Sequence, residues 1–165
     1  MVTSAELLAH LDRLGLRVTT FHHPPVFTVE ENKALHGAMP GGHCKNLFLK
    51  DKKDALWLVV ALEDSPIDMK TLGQRIGSAR LSFGRPELLR EVLGVEPGSV
   101  TPFAVINDRE NRVTVVLDRA LMAQSPLHYH PLINTATTAI APDELLRFLE
   151  AAGHSPRWVD LAANP

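Results

Sequence analysis

The run Ala55-Leu56-Trp57-Leu58-Val59-Val60-Ala61-Leu62 constrains the fold more than any other part of the chain. It is the longest uninterrupted apolar stretch, well short of the ~20 residues that cross a bilayer, and it suits a buried strand. Just before it, His43 to Lys50 reads as a second strand, and the polar Asp51-Lys52-Lys53-Asp54 between the two is a hairpin signal. A chain of 165 residues is about one domain in length and buries roughly 70% of its unfolded surface. The expectation is a single domain over residues 1–165 built around this hairpin.

The remaining elements follow from spacing and punctuation. Leu7, Leu8, Leu11 and Leu14 recur at helical spacing, which predicts a helix from Ser4, as its cap, to Leu14, stopped by Gly15. Arg17 to His22 reads as a short strand ended by Pro24-Pro25. Thr28, with Glu31 three residues on, is a capping box for a short helix, and Met39-Pro40-Gly41-Gly42 is a turn. Helices are predicted over Asp68–Ile76 and Pro86–Leu93, the second with proline in its first turn and Gly94 just past its end. Ala104–Ile106 and Arg112–Leu117 read as strands around a polar segment, Leu127–Ile133 and Thr135–Ile140 as two more, and Asp143–Ala152 as a terminal helix. Strands outnumber helices and hairpins outnumber βαβ alternation, so the class is α+β: a mixed, largely antiparallel sheet flanked by helices.

Composition removes several functions. The single cysteine, Cys44, excludes an internal disulfide and a Cys-based structural zinc site. The start of the chain lacks the basic and apolar segments of a signal peptide, which makes a cytoplasmic protein the expectation. Net charge is −2, but ten Lys/Arg and six Asp/Glu lie between Lys33 and Arg90, leaving seven basic and thirteen acidic residues elsewhere. A pI near 6.4 argues against a generic nucleic-acid coat, and the chain shows no helix-turn-helix that would suggest DNA. One locally basic face for a phosphate-rich ligand remains open, beside the plainer reading of a solvated surface.

Three segments could carry chemistry. In the strand around Lys45, side chains alternate, so Lys45 shares a face with Leu47 and Leu49, while Asn46 and Lys50 fall on the other. A lysine at the end of an apolar face either snorkels to water or lines a pocket, where its ammonium can bind an oxygen. Gly98-Ser99-Val100-Thr101-Pro102 follows Pro97 in what reads as a type II turn, with glycine supplying positive φ. Amides left without ladder partners there could form an oxyanion hole, or the segment could be an ordinary loop. In the third segment, His128 and His130 share a face if the chain is extended, and Asn134, Thr135, Thr137 and Thr138 follow. No Asp, Glu or Cys stands near the two histidines in sequence to complete a metal shell, so no metal is expected. A hydrogen-bonded structural role suits His128.

Together these segments resemble the YbaK/prolyl-tRNA editing domain family, free-standing relatives of the insertion domain of bacterial prolyl-tRNA synthetases. The resemblance rests on Gly42-His43-Cys44-Lys45-Asn46-Leu47-Phe48-Leu49, on the Gly-x-x-x-Pro loop Gly98 to Pro102, and on His130-Pro131 with Asn134 and Thr137. It spans nearly the whole chain. It implies a curved mixed sheet and cofactor-free hydrolysis of an aminoacyl ester at the acceptor end of mischarged proline tRNA. Alanine is the implied amino acid, with cysteine as the rival, and a non-catalytic tRNA-binding module as the alternative of another class. By the same resemblance Lys45 and the backbone of Gly98, Ser99, Val100, Thr101 and Pro102 act on the ester, while Asn46, His130 and Asn134 border the substrate. Asn46 fits only if a twist or bulge brings it beside Lys45. Lys50 and Arg80, in the basic stretch, are expected to touch the tRNA, with transient association to prolyl-tRNA synthetase and no membrane contact.

Overall fold

The computed structural model describes residues 1–25 and 29–162. Strand β2 (Gly42–Asp51) organises it. Along one edge β2 pairs antiparallel with β3 (Leu56–Leu62), Cys44 opposite Leu62 through Lys50 opposite Leu56, as the hairpin signal requires. Its other edge is shared. Gly42 and His43 pair parallel with β6 (Leu127–Tyr129), and Leu49 to Asp51 pair antiparallel with β4 (Leu81–Phe83). Between those two partners, residues 44 to 48 of β2 have no strand beside them on that edge among the described residues.

The other strands extend the sheet outward. β6 pairs antiparallel with β7 (Ala136–Ile140), which pairs antiparallel with β1 (Thr19–His22). On the far side β3 pairs parallel with β5 (Val113–Asp118), and β5 parallel with β8 (Arg157–Val159). The sheet is therefore mixed, in the order β1-β7-β6-β2-β3-β5-β8. Helices α1 (Ser4–Arg13), α4 (Pro86–Leu93) and α5 (Pro142–Ala151) cover one face, where Leu7, Leu11, Leu89, Leu93, Phe148 and Leu149 meet Phe48, Leu58 and Val60. Helix α3 (Met69–Ile76) covers the other, where Leu72 and Ile76 meet Leu49, Trp57, Val59 and Ala61. Successive residues of β3 thus enter opposite layers, and the apolar run is continuous because both faces are buried. Helix α2 (Val29–Ala38) leads into β2. No helix among the described residues is long and apolar enough to cross a membrane.

Several expectations are corrected. The cap of α1 is Thr3, not Ser4: Thr3 accepts from the Glu6 amide while the Glu6 carboxylate accepts from the Thr3 amide, a reciprocal box that needs this spacing. The expected cap at Thr28 lies outside the described residues. Ala104–Ile106 is no strand; Thr101 caps a short 3-10 helix over Pro102–Asn107, with proline in its first turn. β5 consequently has no hairpin partner there and instead lies parallel to β3, the intervening helices forming the crossover. β6 stops at Tyr129 because Pro131 has no N–H for a ladder, and Leu132 turns the chain at φ 71°. The three-residue strands β4 and β8 carry too few residues to show alternation in the sequence.

One buried pair ties the far end together. Asp108 accepts hydrogen bonds from the Arg112 and Val113 amides, and its Oδ2 meets His154 Nε2 at 2.9 Å, both side chains being almost fully buried. Asp108→Ala strands those donors, and we expect a loss of about 3 kcal/mol, roughly 6–12 °C in Tm for a chain of this size. Thermal denaturation checks it; a loss below about 1 kcal/mol would show the pair to be dispensable.

Candidate active site

The gap along the edge of β2 opens into a cavity of about 300 Å³. His43, Cys44, Lys45 and Asn46 form its floor, Pro97, Gly98 and Val100 one wall, and His128, Tyr129, His130 and Thr137 another, with Leu35, His36 and Met39 from α2 and Glu63 from the end of β3 at the rim. Lys45 and Asn46 both reach it without breaking the alternation of β2. Asn46 lies on the face of Cys44 and Phe48 and donates from Nδ2 to the Val100 carbonyl at 3.1 Å. Lys45 lies on the face of Leu47 and Leu49 and donates from Nζ to the Ser65 carbonyl. Ser65 is itself anchored, its hydroxyl donating to fully buried Asp118 at 2.6 Å. The ammonium keeps two further donors.

The loop from Pro97 departs from expectation. Pro97–Ser99 is a turn of 3-10 helix rather than a type II turn, and Gly98 has no positive φ. The Ser99 amide donates to the Glu96 carbonyl at 2.8 Å, so it is not open to a substrate. Ser99, Thr101 and Pro102 are buried behind the wall, and the Thr101 hydroxyl accepts from the Phe103 amide. Of the expected Gly98–Pro102 segment, Gly98 and Val100 line the cavity, beside Pro97. Asn134 stands next to Gly98, where an added Cβ would meet its Nδ2 at 3.7 Å.

Of the histidines that gather here, sequence reasoning passed over His36. His36, His43 and His128 form a stack, the first pair of rings 3.9 Å apart and 13° from parallel, the second 4.5 Å and 8°. His43 donates from Nε2 to the Met39 carbonyl (2.7 Å), His128 from Nδ1 to the Gly42 carbonyl (3.1 Å), and His130 from Nδ1 to the Ala136 carbonyl (2.8 Å). A carbonyl only accepts, so each bond fixes which nitrogen carries the proton. Gly41 makes this geometry possible. Its φ is 128°, and a Cβ there would sit 2.4 Å from the Pro126 carbonyl oxygen and 3.0 Å from the His128 ring.

The site's electrostatics favour neutral rings. Burial lowers the pKa of His36, reinforced by neighbouring His43 and opposed by Glu63, 3.2 Å away. Burial also lowers His128 and His130, with their carbonyl partners opposing it. Burial pushes the Cys44 thiol up to about 12, so it is no thiolate nucleophile at neutral pH. Parallel rings in a stack do not converge their nitrogens on a point. Among the described residues no three His, Cys, Asp or Glu side chains are placed to share a metal ion.

Lys50 and Arg80 lie elsewhere. Lys50, at the far end of β2, pairs with Asp54 at 3.1 Å and lines a broad basin of about 880 Å³. Arg80 is exposed just before β4, its carbonyl accepting from the Lys52 amide. That basin is larger than the cavity described above, but its Lys50, Lys52 and Arg85 are offset by Asp54, Glu87 and Glu91 and its polar groups do not converge.

The aminoacyl-tRNA editing domain model matches residues 23–148. Among curated proteins, prolyl-tRNA synthetase associated domain-containing protein 1 of Danio rerio is 44% identical over 153 residues, 92% of this chain and 83% of that one. The prolyl-tRNA editing protein ProX of Acetoanaerobium sticklandii is 37% identical over 156 residues, 94% of this chain and 95% of that one. A solved structure of a candidate trans-editing enzyme for prolyl tRNA synthetase superposes with a TM-score of 0.70 at 22% identity, covering 97% of each chain, a likeness of fold.

The depressed histidines carry a pH signature. Above the ordinary value of 6.5 folded and unfolded chains are both neutral at these rings, so pH leaves stability alone. Below it the unfolded chain takes up protons that the folded site refuses, and stability falls toward acid until the folded rings themselves protonate, by up to about 1.4 kcal/mol per pH unit for each ring. His128→Gln should flatten that slope in urea titrations between pH 6.5 and 5; an unchanged slope would place the protons elsewhere.

Proposed function

The chain belongs to the aminoacyl-tRNA editing domain family, and from that membership we propose that it hydrolyses the ester joining a mischarged amino acid to the 3′ end of proline tRNA. The supporting observation is the clamped ammonium of Lys45 at a small cavity beside the Gly98 loop. An aminoacyl ester is already activated, so water needs position and a stabilised oxyanion more than a strong nucleophile. Lys45 offers two free donors to the ester or ribose oxygens. Gly98 offers its amide, because the second residue of a helical turn has no carbonyl one turn back to bond. Ser99, Thr101 and Pro102 serve by holding the loop's shape. Asn46 ties the loop to β2 through Val100, and Asn134 borders Gly98 on its outer side.

Alanine is the proposed amino acid. In this reading proline is spared by a clash of its ring with the walls of the cavity, about 300 Å³ in volume, while a methyl group is admitted. Against cysteine, apolar contact discriminates by only ~1–3 kcal/mol, which makes cysteinyl-tRNA the closest competitor. Single-turnover hydrolysis of alanyl-, cysteinyl-, seryl- and prolyl-tRNA(Pro) tests the reading. Alanyl-tRNA should be cleaved fastest and prolyl-tRNA spared; no cleavage of any would leave a binding module. Lys45→Ala should slow alanyl-tRNA hydrolysis at least tenfold, ~1.4 kcal/mol in barrier, with the fold intact, and an unchanged rate would remove Lys45 from the chemistry.

The tRNA body is proposed to lie toward Lys50 and Arg80, with a transient encounter with prolyl-tRNA synthetase delivering the substrate. Lys50 lies six positions along β2 from Cys44, ~20 Å of strand, a distance that a single-stranded 3′ end of a few nucleotides can span. A phosphate contact adds affinity without reading sequence, and each one lost lowers the salt dependence of binding. Neutralising Lys50 and Arg80 together should weaken use of full tRNA by tenfold or more, and hydrolysis of a short aminoacyl-adenosine by less than twofold. Equal losses would instead place both residues at the cavity.

A further inference from the structure

Among the described residues, Phe83 is the most exposed phenylalanine, tyrosine or tryptophan, 64% open in a chain that buries Phe48, Trp57, Phe103, Tyr129 and Phe148. It does not sit on a loose loop. β4 sets it opposite Leu49, and the next amide, that of Gly84, donates to the Phe48 carbonyl at 2.9 Å. A Cβ on Gly84 would lie 2.3 Å from the Phe48 ring, so the backbone is pressed against the core there and the end of β4 is held in place. The Phe83 ring stacks on no other aromatic side chain and meets no cation among the described residues. It belongs to neither core cluster.

Its place on the sheet gives the exposure a use. Directly opposed residues of paired strands share a face, so Phe83 stands on the face of Leu49, Leu47 and Lys45. It marks the end of the open edge of β2 that begins at the cavity, and it also lines the basin, beside Lys50, Lys52 and Arg85. Its partner Leu49 lies four positions along β2 from Lys45, ~13 Å of strand. About four stacked nucleotides at ~3.4 Å each cover that length, and fewer do so when extended. A strand of RNA running from the basin to the cavity along this edge therefore passes Phe83. The charges suit a polyanion. Among the described residues Lys52, Arg80 and Arg85 are in no ion pair, whereas Asp54 is matched by Lys50 and Glu91 by Arg112. Asp51 is taken up by the Lys53, Ala55 and Ala79 amides and the Trp57 indole, which leaves Glu87.

We propose that the Phe83 ring is a stacking platform for a nucleobase of the unpaired 3′ end, holding that strand between the duplex at the basin and the ester at Lys45. The proposal rests on the deacylase reading and adds a contact that reads no sequence, because every base has a flat face to offer an aromatic ring. A phenylalanine fixed on a paired strand loses little freedom when a base settles on it, whereas Lys50 and Arg80 meet the RNA through charge.

The test measures binding of an uncharged RNA hairpin, carrying the acceptor stem of proline tRNA and its single-stranded 3′ end, beside single-turnover hydrolysis of alanyl-tRNA and of alanyl-adenosine. Phe83→Ala should keep Tm within about 2 °C. It should weaken hairpin binding at least fivefold and slow alanyl-tRNA hydrolysis at subsaturating enzyme by the same factor, with alanyl-adenosine hydrolysis changed by less than twofold. Phe83→Trp should bind at least as well as wild type, and Phe83→Leu, apolar but without a ring, should recover less than half of the loss. The salt slope of binding should not change, because a ring displaces no counterion. Removing the base at one position of the 3′ end should reproduce the loss and add nothing to Phe83→Ala, while exchanging that base for another should cost little. Full-strength binding by Phe83→Ala, or equal losses with alanyl-tRNA and alanyl-adenosine, would overturn the platform. A dimer in sedimentation that dissolves on Phe83→Ala would also overturn it and assign the ring to a second copy of the chain. A wild type that cleaves no ester yet binds the hairpin through Phe83 would bring down the deacylase reading and leave the platform standing.

Discussion

One interaction recurs at four places around the cavity, and the site depends on it: a backbone carbonyl set against one ring nitrogen of a histidine. Met39 holds His43, Gly42 holds His128, Ala136 holds His130 and Pro24 holds His23. Each bond removes the ring's freedom to flip and decides which nitrogen is a donor. Two of the four carbonyls come from the turn that enters β2, where the backbone of Gly41 approaches Pro126 too closely for a side chain. The stack of His36, His43 and His128 follows from that turn together with the parallel pairing of β2 and β6, which sets His43 opposite His128.

The sheet supplies the space. β2 changes partner along its outer edge, from β6 to β4, and the cavity occupies the interval between them. Because β2 is buried on both faces, adjacent residues can serve the same cavity through different layers. Asn46 reaches the Gly98 loop across the main core, while Lys45 is held on the α3 side by Ser65 and, behind it, Asp118. This removes the conflict between strand alternation and the joint use of neighbours. The site is made from β2, β6, β7, the Gly98 loop and α2, which are remote in sequence and brought together only by the topology.

Much of the fold can be read from the chain because its strongest signals are local. The hairpin of β2 and β3, the proline-started helices α4 and α5 and the glycine after α4 all follow from residues within a few positions of one another. The failures have physical causes. Ala104–Ile106 is apolar, but Thr101 and Pro102 start a helical turn there, and without that strand β5 is free to lie parallel to β3. Lys45, Asn46, Gly98, Val100 and His130 all meet at the cavity, and the motif resemblance was their signal. Ser99 was expected to offer an amide, yet the turn before it uses that amide internally. His43 and Thr137 stand in the resembling motifs without any sign of their partners, and His23 and His36 gave no local hint, since what they meet is supplied by other elements. The one available clue was the number of histidines, eight in a chain with 5% Phe, Trp and Tyr.

The central claim is that carbonyl clamps leave bare, accepting nitrogens on the cavity wall, and nitrogen-15 NMR of the histidine rings tests it directly. Long-range proton–nitrogen spectra at pH 7.5 should show Nδ1 protonated and Nε2 bare in His23, His128 and His130, and the reverse in His43. The pattern should persist when a non-hydrolysable alanyl-adenosine amide is added. A protonated Nε2 on His130, or rings exchanging between tautomers, would contradict the account.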